Sequence, residues 1–130
     1  VFQDPEKQIF YSMVYDDLAF ALRNIGMDEK TTKERINKAL DAVNGKEFIN
    51  RPVHSLSFGQ KKRVAIASVI AMENELVLLD EPTAGLDPKE RAYFRNIISE
   101  MSKDKIIIIA NNIVTILFLF FSDIFPPFKI

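Results

Sequence analysis

Leu56-Ser57-Phe58-Gly59-Gln60 and, further along, Asp80-Glu81 are the residues whose types and order could do chemistry in this chain. A Ser-x-Gly-Gln turn opening a helix presents a hydroxyl, free backbone N–H groups and the positive end of the helix dipole, which together bind phosphate oxygens. Serine also caps helices routinely, so the pentapeptide alone fits a purely local role equally well. Asp80-Glu81 closes the aliphatic run Leu76-Val77-Leu78-Leu79 and precedes Pro82. Ligands of α/β sheets lie beyond the carboxyl ends of strands, where these two acids fall. Neighbouring side chains on an extended backbone point to opposite sides, so the pair can divide its work. Asp80 can hold Mg²⁺, directly or through water, while Glu81 orients or deprotonates an attacking water. The competing account is that the acids merely end the strand and cap the turn. Lys61-Lys62-Arg63 reads as a solvated face at a helix start, and His54 as loop packing rather than a metal ligand.

These residues need elements to position them. Val1-Phe2 reads as the end of a strand, stopped by Asp4-Pro5. Apolar residues at helical spacing predict a helix from Ser12 to Ile25, ended by Gly26, and a second from about Asp28 to Val43, with Asn44-Gly45 suited to its cap. Pro52 to Ser57 is expected as loop. A third helix follows from Gln60 to Met72, apolar enough after Arg63 to be buried. Leu76–Leu79 and Ile106–Ile109 read as strands covered on both faces. Between them, Asp87-Pro88-Lys89-Glu90 supplies an N-cap, a proline at the first helical position and a third-position Glu, opening a helix to about Met101. Helices alternating with apolar strands favour an α/β fold with a parallel sheet.

Length and composition set the outer bounds. The 130 residues fit one domain at most, and 17 basic against 18 acidic side chains give no net field that favours nucleic acid. The chain has no cysteine, hence no disulfide framework or thiolate metal site. It starts without Met, inside an apolar segment and without a signal-peptide pattern, and is expected to be a piece of something larger. From Ile113 to Phe121 it is apolar except for Thr115, with Pro126-Pro127 beyond. That run is short of the roughly 18–20 residues a membrane span needs, so a strand with an irregular tail is favoured over an anchor.

The order of these segments resembles the ATP-binding-cassette (ABC) ATPases. Leu56–Gln60 is similar to their signature motif, Leu76–Glu81 to their Walker B strand with its catalytic Glu, Thr83–Asp87 to their D-loop, and Val1–Pro5 to their Q-loop. The segments Phe2–Phe10, Asp16–Phe20 and Arg51–Ala67 resemble energy-coupling-factor importers, especially the cobalt-type ATPase subunit. The resemblance implies a partial P-loop NTPase fold over 1–130: a helical subdomain at 11–58, a catalytic core at 59–112 and an atypical apolar tail at 113–130. It implies ATP and Mg²⁺ as ligands. Gln3, Ser57, Gly59, Gln60 and Asp87 would contact nucleotide, Asp80 and Gln3 would serve the Mg²⁺, and Glu81 and Asn112 would be catalytic. It further implies a peripheral place on the cytoplasmic face of the membrane. The partners would be a second ATPase subunit, identical or not, a transmembrane coupling subunit and a substrate-binding membrane subunit, with no nucleic acid. Asp16 and Asp17, with Tyr15, would meet basic residues of the coupling subunit, the alternative being a solvated helix face. A soluble cassette ATPase of DNA repair or translation, or a non-catalytic fragment completing a partner's site, are the alternatives.

Two departures from the family pattern bear on mechanism. No Gly-x-x-x-x-Gly-Lys-Ser/Thr loop occurs in the chain; Gly45-Lys46 is followed by Glu47 and has Leu40 where the first glycine belongs. The family places that loop upstream of the Q-loop, so the chain alone is expected to bind ATP weakly and to hydrolyse it negligibly. Where the family has a switch histidine, Asn112 aligns, and an amide carries no proton that titrates near neutral pH. Unpartnered apolar faces such as Ile106–Ile109 are expected to make the fragment poorly stable.

Overall fold

The computed structural model describes residues 12–111. Within them run α1 (Val14–Asn24), α2 (Glu29–Ala42), short 3-10 turns at Lys46–Phe48 and Val53–Ser55, α3 (Phe58–Met72), β1 (Leu76–Asp80), α4 (Pro88–Met101) and β2 (Ile106–Ala110). Gln3, Asn112, the Val1-Phe2 strand and the 113–130 tail lie outside the described residues.

Helix ends show how closely the local sequence dictates these elements. Met13 offers α1 no side-chain cap, so the first amides are met by the chain that returns beside them. Val14 N–H donates to Arg51 O at 3.0 Å and Tyr15 N–H to Ile49 O at 3.1 Å. At its other end Gly26 takes φ +82°, while Gly26 N–H reaches Arg23 O and Met27 N–H reaches Leu22 O, the paired bonds of a Schellman stop. Helix α2 stops in the same way with Asn44 in the left-handed position at φ 48°. Gly45 then donates to Leu40 O at 2.7 Å. A Cβ at Gly45 would be tight, 3.1 Å from Val43 Cγ2 and 3.2 Å from Phe48 Cδ2, so those side chains would have to shift by a few tenths of an ångström.

The apolar faces converge on one core. Leu18 and Leu22 of α1, Ile36 and Leu40 of α2, and Phe48 meet Val64 and Ala67 of α3, and the same cluster continues to Val77, Leu79 and Phe94. The two strands pair in parallel, Leu76 opposite Ile106 through Asp80 opposite Ala110. Such pairing needs a crossover, which α4 supplies.

Three expectations change. β1 is not covered on both faces by the described residues: Val77 and Leu79 are buried, whereas Leu76 and Leu78 are 51% and 50% exposed. Successive side chains alternate across a sheet, and only the Val77–Leu79 face is packed by the described elements. Ile106 and Ile109 of β2 are likewise exposed. Helix α3 begins at Phe58 rather than Gln60, because Ser57 is its cap, and after Arg63 it buries Val64, Ile66, Ala67 and Ala71 while leaving Ala65 exposed. The Pro52–Ser57 loop contains a 3-10 turn. Asp16, Asp17 and Phe20 share an exposed stretch of α1, and no helix among the described residues is long and apolar enough to cross a membrane.

Asp28 caps α2 by accepting from Thr31 N–H at 2.8 Å and Thr31 Oγ1–H at 2.7 Å. These bonds, the backbone one foremost, hold its carboxyl below the usual range. A carboxyl whose folded-state value is depressed adds stability above its unfolded value and loses it as pH falls through the folded one. The melting-temperature gap between the protein and Asp28→Asn is therefore expected to shrink once pH falls below about 4. A gap that stays constant down to about pH 2 would show that the ionised cap contributes nothing.

Candidate functional site

The Ser57 turn is built by a reciprocal cap. Gln60 N–H donates to Ser57 Oγ at 3.2 Å, and Ser57 N–H donates to Gln60 Oε1 at 2.9 Å. The local role is thus real, and it is compatible with anion binding. A serine hydroxyl has one proton and two lone pairs, and the cap uses a single lone pair. The amides of Phe58 and Gly59, first in the helix, precede any intrahelical acceptor. Ser57 and Phe58 are exposed, and Gly59 and Gln60 are half-buried.

Asp80 and Glu81 both lie exposed where β1 ends. Asp80 is still in register with Ala110, and the next amide, Glu81 N–H, donates to Ala110 O at 2.8 Å. Glu81 then turns left-handed at φ 43°, a conformation that costs a non-glycine residue about 1–2 kcal/mol. That turn throws the chain out of the sheet at the two carboxylates. Glu81 borders an open cleft of about 520 Å³ with Thr83, Ala84, Arg95, Ser99 and Asn111. Asp80 borders a different cleft, between α3 and β1, with Lys62 and Phe94. The two carboxylates thus border different clefts, and Glu81 has left the extended backbone on which alternation of the pair was expected.

The following loop returns to α4. Asp87 is exposed and caps that helix, its Oδ1 accepting from Glu90 N–H at 2.8 Å. Gly85 takes φ +74° against the Phe58 ring.

The reading of Lys61-Lys62-Arg63 as a solvated face fails for two of the three. Lys61 is exposed, but Lys62 donates to the carbonyls of Pro82 at 3.1 Å and Ala84 at 2.7 Å, with Glu81 O at 3.5 Å. Arg63 pairs with Glu90 at 2.8 Å and lies 4.5 Å from the Tyr93 ring centroid. Burial pushes the Tyr93 hydroxyl above its ordinary value, and the Arg63 charge opposes the shift. The turn and the carboxylates are thus physically joined through α3. His54 lies in the 3-10 turn before Leu56. No cluster of three or more His, Cys, Asp or Glu that could hold a metal occurs among the described residues. Asp80 offers one exposed carboxylate, and Mg²⁺ is commonly held by one or two carboxylates with substrate phosphates and water completing its shell.

A helical layer packed on a parallel β-pair, with two carboxylates at the strand end, is an α/β arrangement. More narrowly, the family described as "ABC transporter" matches residues 1–84, and the chain belongs to that family. It is 48% identical over 104 residues to the cobalt import ATP-binding protein CbiO of Salmonella typhimurium, covering 77% of this chain and 38% of that protein. It is 42% identical over 127 residues to the energy-coupling factor transporter ATP-binding protein EcfA2 of Clostridium perfringens, covering 96% of this chain and 45% of that one. The structure of cbiO1 from Clostridium perfringens, described as part of the ABC transporter complex cbiONQ, superposes with a TM-score of 0.70 at 43% identity, over 87% of this chain and 46% of the other. The chain spans less than half the length of these relatives.

Gly85→Ala is expected to destabilise the protein by about 1–2 kcal/mol through its left-handed backbone alone. An added Cβ would also stand 2.9 Å from Phe58 Cε1. Urea unfolding of Gly85→Ala, Phe58→Ala and the double variant separates the two, since relief of the clash makes the double variant more stable than additivity allows. Strict additivity would mean that the ring moves aside at no cost.

Proposed function

We propose that this chain belongs to the ATP-hydrolysing subunit of an energy-coupling-factor importer, which drives uptake of cobalt or a related metal ion or vitamin from the cytoplasmic face of the membrane. The observation that carries the reading is the delivery of Asp80 and Glu81, exposed, to the end of a parallel strand whose following turn is tied to the Ser57 helix. The names of the relatives, cobalt import and energy-coupling factor ATP-binding proteins, support the importer class.

In this reading the substrate is Mg-ATP, bound between two ATPase subunits facing head to tail. Asp80 holds the ion that arrives with the nucleotide, and Gln3 joins it. Glu81, on the other side of the strand end, orients the attacking water and accepts its proton. Ser57 Oγ–H and the amides at Phe58 and Gly59 donate to the phosphate of an ATP held by the facing subunit, where fixed donors and the helix dipole need no reorganisation as charge develops. Gln60 fixes the turn that presents them. Asp87 caps its own helix with one oxygen and keeps the other for a contact in the nucleotide site. Asn112, in place of a histidine, can donate a hydrogen bond to phosphate without changing its charge.

Asp16 and Asp17, exposed beside Phe20 on α1, provide an acidic and aromatic surface for the membrane coupling subunit. A substrate-binding membrane subunit completes the assembly.

In the protein at its natural length, assembled with its membrane subunits, Glu81→Gln is expected to lower phosphate release about 10²–10⁴-fold while ATP binding persists. Unchanged turnover in that variant removes Glu81 from the chemistry, and absence of any ATP-dependent uptake by the unaltered assembly removes the importer. Reversing both charges with Asp16→Lys and Asp17→Lys is expected to lower the melting temperature slightly, because both acids lie in the first turn of α1, and to weaken co-purification of the membrane subunit beyond what Asp16→Asn with Asp17→Asn does. Intact assembly would leave those acids as solvated surface.

A further inference from the structure

We propose that Lys62 is a positioning residue for the turn carrying Glu81, holding that turn by its peptide oxygens and tying it to the helix that the Ser57 turn opens. A lysine ammonium has three N–H donors, and three carbonyls converge on this one, at 2.7 Å from Ala84, 3.1 Å from Pro82 and 3.5 Å from Glu81. The ammonium is thus held by backbone oxygens of a single turn rather than by a carboxylate.

The turn needs such a holder. Glu81 is left-handed, and the ladder grips it on one side only, through its amide on Ala110 O. Within the turn, the bonds are Ala84 N–H to Glu81 O and Leu86 N–H to Thr83 O at 3.3 Å, both local. Lys62 supplies contacts from a different element at the Glu81 end of the turn, while Arg91 of α4 donates to Leu86 O at 3.2 Å at its far end. Four residues earlier on the same helix face, Phe58 places its ring 5.3 Å from the Lys62 Nζ and against Gly85. An aromatic face and an ammonium thus press on the same loop, one turn of helix from Ser57. A shift of the Ser57 turn is thereby transmitted to the backbone from which the Glu81 carboxylate projects.

The catalytic consequence rests on the ATPase reading above, whereas the positioning itself does not, and two measurements on the natural-length protein separate them. Hydrogen exchange without nucleotide is expected to quicken in Lys62→Met at the amides of Ala84 and Leu86, the two bonded within the turn, with α1 and α2 unchanged, and Lys62→Arg is expected to restore protection. In the membrane assembly Lys62→Met is expected to lower kcat roughly tenfold to hundredfold, as for a misplaced catalytic group. KM for ATP should stay within about threefold, because ground-state binding is not removed. Exchange that is unchanged, or that rises throughout α1 and α2, overturns the proposal. So does local quickening with kcat intact in an assembly that hydrolyses ATP. If the unaltered assembly hydrolyses no ATP, the ATPase reading fails, and the exchange result still decides whether Lys62 holds the turn.

Discussion

The parallel pairing of β1 with β2 is the constraint on which the site depends. Its last rung places Asp80 opposite Ala110, and the next amide closes on the carbonyl of that same Ala110 at 2.8 Å. That bond fixes where extended backbone stops. The two strand-end acids are arranged around this stop, Asp80 just inside it and Glu81, itself left-handed, just outside. A ladder that slipped by one residue would exchange the faces of Val77 and Leu78, placing the wrong side chain in the core. The hydrophobic core therefore enforces the register, and the register places the acids.

A second layer of order comes from the helix starts. Asp28, Ser57 and Asp87 each cap a helix through an amide three residues on. At Ser57 the cap and the anion-binding geometry are one object, since fixing the first turn also aims its remaining donors. The pair Arg63–Glu90 then braces α3 against α4 and stacks on Tyr93. Both partners are half-buried, so the brace is better screened from solvent than an exposed pair such as Lys103–Glu100.

What could be read in the sequence follows from the range of the interactions involved. The Ser57 and Asp87 caps, the Gly26 stop and the Asn44-Gly45 stop are settled within a few residues and are legible in the sequence, whereas Asp28 reads as the first residue of its helix and proves to be its cap. The strand-end acids are also legible, because two adjacent carboxylates cannot continue a buried aliphatic strand and so must mark its exit to solvent. Lys62 is different: its acceptors lie 19, 20 and 22 residues further along, and nothing at Lys62 itself distinguishes it from Lys61, which is solvated. The half-exposed face of β1 is hidden for another reason. Leu76-Val77-Leu78-Leu79 has no polar alternation, so one covered face and two give the same string.

That uniform apolar face bears on how the piece relates to the whole. Leu76, Leu78, Ile106 and Ile109 are each at least half exposed, on strands with a parallel partner on one side. Parallel sheets are ordinarily covered on both faces, and the chain spans less than half the length of its relatives. Apolar side chains chosen for both faces of β1 make sense if additional protein packs there in the complete domain. The core that orders α1, α2 and α3 does not need that cover, since Leu18, Leu22, Ile36 and Leu40 are already sealed. The helical side of this one core is thus fully covered among the described residues, while the outer face of the sheet is not. The carboxylates sit on the part that depends on completion, while the Ser57 cap sits at its border with the part that does not, joined to it by Lys62.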